Sequence, residues 1–193
     1  FKDLDDAMDL TDTPRPIREG EEFDLPAVEA FLRRSIPGLD GEMTAAQFPG
    51  GHSNLTYLIR FGGRELVFRR PPVGRKARTA HDMGREFRVL KALRPLYPYC
   101  PAPLVCMEDE SLIGCPCYVM ERIRGIILRK EPPAGLVFAP VEARRLCEAF
   151  VSAFAELHRV DVRDEALAAL GRPQGYVRRQ VEGWCERYRS ART

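Results

Sequence analysis

Two short runs with strand signals, Leu55 to Phe61 and Arg64 to Arg70, flank the dipeptide Gly62-Gly63. Two glycines between two such runs are the turn chemistry of a two-residue β-hairpin. Pro71-Pro72 stops the second run, because proline has no N–H to give a sheet ladder. The chain is thereby committed to an antiparallel sheet. A weaker strand signal over 43–48 enters the hairpin through Phe48-Pro49-Gly50-Gly51-His52-Ser53-Asn54, a glycine-containing turn.

The hairpin is followed by a loop to Ala80 and then by a helical pattern from His81 to Leu93, with Met83, Phe87, Leu90 and Leu93 at helical spacing. Two further strands are predicted, Leu104 to Glu108 and Cys117 to Ile123, with Gly114 in the turn between them. Three strands, a helix and two strands define an α+β class with a five-stranded antiparallel sheet. Ahead of the sheet, Asp24 is placed to N-cap a short helix starting near Pro26, with Val28, Phe31 and Leu32 on one face, and Pro37-Gly38 ends it. Residues 1–22, rich in Asp, Glu, Pro and Thr, are expected to form a flexible or draped arm.

Beyond Gly125 the pattern changes. Pro132-Pro133-Ala134-Gly135 reads as a linker-like break. Val141 to Val160 reads as one long helix whose apolar stripe carries Leu146, Phe150, Phe154 and Leu157. A second helix begins near Tyr176, with Gln180, Trp184 and Tyr188 in register. The expected division is an arm (1–22), a sheet domain (23–123), and a hinge followed by helices (124–193).

Composition excludes some functions. An apolar share of 45% and a charged share of 30% are those of a globular protein, and the net charge of +2 gives no bulk basicity for nucleic acid. No apolar run reaches membrane-spanning length, so no membrane partner is expected. The six cysteines show neither Cys-x-x-Cys nor zinc-ribbon spacing and read as free thiols of a reducing, cytoplasmic setting. A basic segment, Arg69, Arg70, Arg75, Lys76 and Arg78, is either a solvated loop or a contact for an anionic substrate.

The residues that can carry chemistry sit around the hairpin. Strand alternation puts Val67 and Arg69 on one face and Leu66, Phe68 and Arg70 on the other. An apolar side chain two residues before a cation can cover a base while the cation reaches its phosphates. On the following helix Glu86 lies beside the apolar face, where a carboxylate needs a partner. Arg69 is the candidate; an ordinary ion pair, or two unrelated surface charges, are the alternatives. The Gly50-Gly51 turn allows close backbone approach to an anion.

The motifs FPGGHSNLTY (48–57), VFRRPP (67–72), HDMGREFRVL (81–90) and YVMERIRG (118–125), with LHRVD (157–161), together resemble the aminoglycoside phosphotransferase-like kinase superfamily. The likeness is to the subgroup related to the kinase-like region of acyl-CoA dehydrogenase fusion proteins. The resemblance implies a protein-kinase-like fold, with residues 23–123 as a nucleotide-binding N-lobe and residues 124–193 as the hinge and the start of a helical C-lobe. It implies ATP and Mg²⁺ as cofactors and transfer of the γ-phosphate to a hydroxyl of a small metabolite or antibiotic-like acceptor. It places Gly50, Gly51, His52, Ser53 and Asn54 over the phosphates and Arg69, paired with Glu86, on them. It places Val67 on adenine, and backbone groups of Glu121 and Ile123, with Met120 beside them, at the adenine edge. Arginine at 69 departs from the lysine of protein kinases; it keeps the charge and favours bidentate contacts.

The H-x-D-x-x-x-x-N catalytic loop of such kinases does not occur in these 193 residues. His158 has Asp161 three positions on, and the two are expected to lie at the end of the long helix, where a histidine suits the dipole. No catalytic or metal-binding residue is therefore assigned, and the chain is expected to hold the nucleotide half of an active site and to be inactive alone. The alternative is a non-catalytic nucleotide-binding or regulatory module. The apolar face of the last helix could also pair two copies into a homodimer.

Overall fold

A computed structural model describes residues 12–50, 54–72, 82–128 and 132–191. The elements run α1 (Leu25–Ser35), β1 (Met43–Gln47), β2 (Leu55–Phe61), β3 (Arg64–Arg70), α2 (Met83–Leu93), β4 (Pro103–Met107), β5 (Cys117–Glu121), α3 (Pro140–Arg159), α4 (Glu165–Ala168) and α5 (Tyr176–Ala191). The five strands form one sheet in the order β1-β2-β3-β5-β4, antiparallel throughout. The α+β class and the five-stranded antiparallel sheet are those expected from the sequence.

The β2–β3 hairpin turns where the two glycines stand, with Phe61 opposite Arg64 and Gly62 at φ +53°. α1 begins at its expected cap: the Asp24 side chain accepts from the Ala27 N–H at 2.9 Å. α2 starts at Met83 rather than His81 because the Asp82 carboxylate caps it, accepting from the Arg85 N–H at 2.8 Å. β5 ends at Glu121, two residues short of the expected Ile123. α3 ends at Arg159, one residue before the expected Val160, with the His158 ring against Phe154 at 4.6 Å. The four-residue α4, capped by Asp164, carries too little periodicity to be read from sequence.

One face of the sheet is the core. Tyr57, Ile59, Phe61, Leu66, Phe68, Cys117 and Val119 pack there with Val28, Leu32, Ile36 and Leu39, from α1 and the segment after it. Burial of these side chains at about 25 cal/mol per Å² of apolar surface is the main stabilising term. The alternation read from sequence is present: Leu66, Phe68 and Arg70 are buried on this face, while Val67 and Arg69 face the other way.

Residues 12–22 are draped over the edge of this layer. Arg15 pairs with Gln47, the Gln47 side chain accepts from the Arg18 N–H at 2.9 Å, and the Tyr57 hydroxyl donates to the Glu21 carbonyl at 2.7 Å. Arg70 joins this cluster, donating to Tyr57 and to the carbonyls of Glu21 and Glu22. It is 4% exposed and unavailable to a substrate, which removes it from the expected basic contact surface. Arg75, Lys76 and Arg78 lie outside the described residues.

All six cysteines are free. No helix is long and apolar enough to cross a membrane among the described residues. On α5 the expected register leaves Trp184 and Tyr188 exposed, with Arg187 stacked 4.4 Å from the Trp184 ring.

Candidate nucleotide site

The second face of the sheet carries the site. Strand pairing sets up cross-strand rows there: Thr56, Arg69 and Tyr118 in one, Leu58, Val67 and Met120 in the next, Arg60 and Glu65 in a third. α2 covers the β4–β5 end of this face, with the Phe87 ring 6.2 Å from Tyr118. The rest of the face is left open. Gly50, Thr56, Val67, Arg69, Ile123 and Ile126 are among the residues that line a cleft of about 570 Å³ on it. On the other side of Arg69, a hollow of about 490 Å³ is lined by Glu86, Tyr118, Met120 and Arg85, among others. Arg69 borders both.

Arg69 and Glu86 form the expected ion pair, with Nη2 3.3 Å from Oε2. The side chains are 28% and 35% exposed. Such a pair contributes at most about 1 kcal/mol to stability, so fold stability does not account for it. Arg69 Nε is buried and has no hydrogen-bond partner among the described residues. A buried donor without an acceptor costs about 1–3 kcal/mol.

Glu86 has two other donors. Asn54 Nδ2 reaches its Oε1 at 2.6 Å and the Tyr118 hydroxyl reaches its Oε2 at 3.0 Å. Burial pushes the Tyr118 hydroxyl well above its ordinary range, with the Glu86 charge also raising it and the Arg69 charge opposing. It therefore stays protonated and donates.

At the far row Glu65 holds three arginines. Its Oε1 accepts from Arg60 at 2.9 Å, and its Oε2 from Arg122 at 2.7 Å and Arg124 at 2.9 Å. Burial alone would raise the Glu65 carboxyl, but the hydrogen bonds and charges of these arginines together hold it below its usual value. Arg122 also stacks over the Phe48 ring at 5.7 Å. The cluster fixes the start of the segment that leaves β5 beside the cleft.

The expected site residues divide as follows. Gly50, Val67, Arg69 and Ile123 come together around the cleft. Asn54 and Glu86 join Arg69 in the polar cluster beside it. Met120 lines the hollow behind, not the cleft. In Glu121 two groups are engaged elsewhere: its N–H donates to the Ala102 carbonyl at 2.9 Å and its carboxylate lies 3.6 Å from Arg94. Its N–H is thus not free for a base edge. Gly51, His52 and Ser53 lie outside the described residues. Tyr118, Thr56 and the Glu65 cluster were not singled out from sequence. A tyrosine one strand position before an apolar pair gives no signal until β5 is known to lie beside β3. At the helix end, His158 and Asp161 form no catalytic pair; Asp161 binds Arg163 at 2.8 Å.

A model of the phosphotransferase enzyme family, APH, matches residues 44–193. The chain belongs to that family. Among curated proteins it is 36% identical over 180 residues to acyl-CoA dehydrogenase family member 10 of Mus musculus, an alignment covering 93% of this chain and 17% of the relative. It is 35% identical over 173 residues to acyl-CoA dehydrogenase family member 11 of Homo sapiens, covering 88% and 22%. Among solved structures, a Ralstonia eutropha protein described as a candidate aminoglycoside phosphotransferase superposes with a TM-score of 0.69 at 30% identity, covering 89% of this chain and 49% of that one. The chain spans about a fifth of the length of these curated relatives and half of the structural neighbour. The kinase-like fold and the likeness to the acyl-CoA dehydrogenase-linked group are those that the motifs suggested.

Proposed function

We propose that this phosphotransferase chain holds ATP for transfer of its γ-phosphate to a hydroxyl of a small metabolite or antibiotic-like acceptor in the cytoplasm. Residues 23–123 serve as the nucleotide-binding lobe and residues 124–193 as the hinge and first helices of the second lobe. The observation that carries this reading is Arg69. It borders an open cleft floored by Val67, it is tied to Glu86, and its buried Nε has no acceptor among the described residues.

ATP fits the residues present. Val67 and Ile123 offer apolar surface to a base, Gly50 gives an approach without a side chain, and Arg69 offers charge-assisted donors to phosphate oxygens. ATP supplies the phosphoryl group; this chain's residues bind and orient it. Mg²⁺ is proposed with ATP from the family resemblance, its ligands expected outside these residues; among the described residues no three His, Cys, Asp or Glu side chains gather to hold a metal. No step is assigned to a metal here, and no residue of the chain is assigned as base.

The test is ATP binding, followed by turnover, in the native full-length protein. A rise in unfolding temperature with ATP and Mg²⁺ is expected, since a ligand selective for the native state stabilises it; no saturable ATP binding would overturn the reading. Phosphate transfer to a panel of hydroxyl compounds then separates the enzyme from its alternative. That alternative, a nucleotide-holding regulatory module, draws on the lack of an H-x-D-x-x-x-x-N motif in these residues. Binding without any transfer would favour it.

A further inference from the structure

Glu86 is held by more than its arginine. Donors from three separate places converge on one carboxylate: Asn54 from the turn before β2, Arg69 from β3 and Tyr118 from β5. Both carboxylate oxygens are engaged, Oε1 by Asn54 and Oε2 by Tyr118 and Arg69. Asn54 is 6% exposed and Tyr118 3% exposed, so two buried polar groups are directed at a side chain that is itself a third exposed. Asn54 directly precedes β2, so its bond ties the start of that strand to α2.

This arrangement restricts motion that an Arg–Glu pair alone leaves open. A glutamate has three side-chain torsions, and its carboxylate can rotate while still facing a guanidinium. Donors fixed to both oxygens, one from the residue before β2 and one from β5, stop that rotation. The guanidinium bound to Oε2 is then offered to the cleft in one orientation, and less ordering remains to be done when a ligand binds.

We propose that Asn54 and Tyr118 are positioning residues, which lock the Glu86 carboxylate so that Arg69 is preset for the phosphates of a nucleotide. The inference rests on the nucleotide reading given above. Neither residue touches the nucleotide through the group in question; each acts through Glu86.

The test is a double-mutant cycle in ATP affinity, measured by calorimetry with Mg²⁺ on the native full-length protein. Wild-type binding is established first; without it the nucleotide reading falls, and this proposal with it. With binding in hand, Tyr118→Phe is expected to weaken ATP about three- to tenfold. In a Glu86→Ala background the same change is expected to alter affinity less than about 1.5-fold, because the carboxylate it would fix is gone. A purely structural hydroxyl would lower the unfolding midpoint and act equally in both backgrounds. Equal effects, or no effect of Tyr118→Phe in the presence of Glu86, overturn the proposal and leave the nucleotide reading standing. If Tyr118→Phe does not fold, Asn54→Ser replaces it in the cycle with the same two outcomes.

Discussion

Arg70 donates from Nε and Nη2 to the Tyr57 hydroxyl, at 3.1 and 3.0 Å, on the face of the sheet opposite its neighbour Arg69. The same guanidinium lies 5.7 Å from the Phe23 ring and 5.5 Å from the Tyr57 ring. Burial raises the Tyr57 hydroxyl above its ordinary value, so it stays protonated, accepts from Arg70 and donates to the Glu21 carbonyl. A buried charge is tolerated here because Nε and Nη2 both donate and two aromatic rings face the guanidinium. Arg70→Met removes those hydrogen bonds and ring contacts together. It is expected to cost about 2–3 kcal/mol in urea unfolding, with ATP affinity of the folded fraction little changed. A variant as stable as wild type would contradict this role.

Arg69 should behave in the opposite way. Its pair with Glu86 is partly exposed and its loss is expected to cost less than about 1 kcal/mol. Arg69→Ala should nevertheless weaken ATP on the order of tenfold or more, because charge-assisted bonds to phosphate are lost. Arg69→Lys should recover part of that affinity, keeping the charge without the bidentate fork. Unfolding curves and ATP titrations on Arg69→Ala and Arg70→Met form a crossed pair. If both variants lose stability and affinity to the same extent, the division of labour between adjacent arginines is wrong.

That division was legible in the sequence only in part. Alternation placed Arg69 and Arg70 on opposite faces, and helical spacing placed Glu86 beside its apolar stripe; both follow from periods of 2 and 3.6 residues. Nothing local distinguishes which arginine is buried. Arg70 is decided by the arm, through carbonyls of Glu21 and Glu22 that lie 49 and 48 residues away. Tyr118 was invisible for the same reason: its bond to Glu86 exists because β5 inserts beside β3, ahead of β4 in the sheet order. The Glu65 cluster likewise joins residues 57 and 59 positions apart. Periodicity fixes faces; partners across strands need the topology.

Glu65 gives a pH-dependent expectation. Its carboxyl is held below its ordinary value of 4.5 by the surrounding arginines. A carboxyl with a depressed folded-state pKa adds stability that is present above the unfolded value and is lost as pH falls through the folded one. Glu65 and Arg122 are 11% and 10% exposed, so solvent screens this contact little. Glu65→Gln is expected to be about 3 kcal/mol less stable than wild type at pH 7. The gap should hold down to about pH 4.5 and then close on further acidification. Guanidinium unfolding of both proteins between pH 7 and pH 3 measures it, and a gap independent of pH would show that the amide loses shape rather than charge.

The hairpin turn offers a test of the fold's first constraint. Gly62 has φ +53°, and a Cβ there would sit 3.2 Å from the Asp40 carbonyl oxygen. A side chain is therefore penalised twice, by the left-handed backbone and by a backbone atom that cannot swing aside. At Gly63 a Cβ would meet nothing within 4 Å. Gly62→Ala is expected to cost about 1–2 kcal/mol, while Gly63→Ala should stay within about 0.5 kcal/mol of wild type. Since Phe61 and Arg64 are paired across the turn, strain at Gly62 is transmitted along β3 toward Val67 and Arg69. Gly62→Ala should therefore also lower amide protection along β3 in hydrogen exchange, and Gly63→Ala should not. Equal costs at the two glycines would mean that the turn has another geometry, and the register that sets Val67 and Arg69 on the cleft would have to be reconsidered with it.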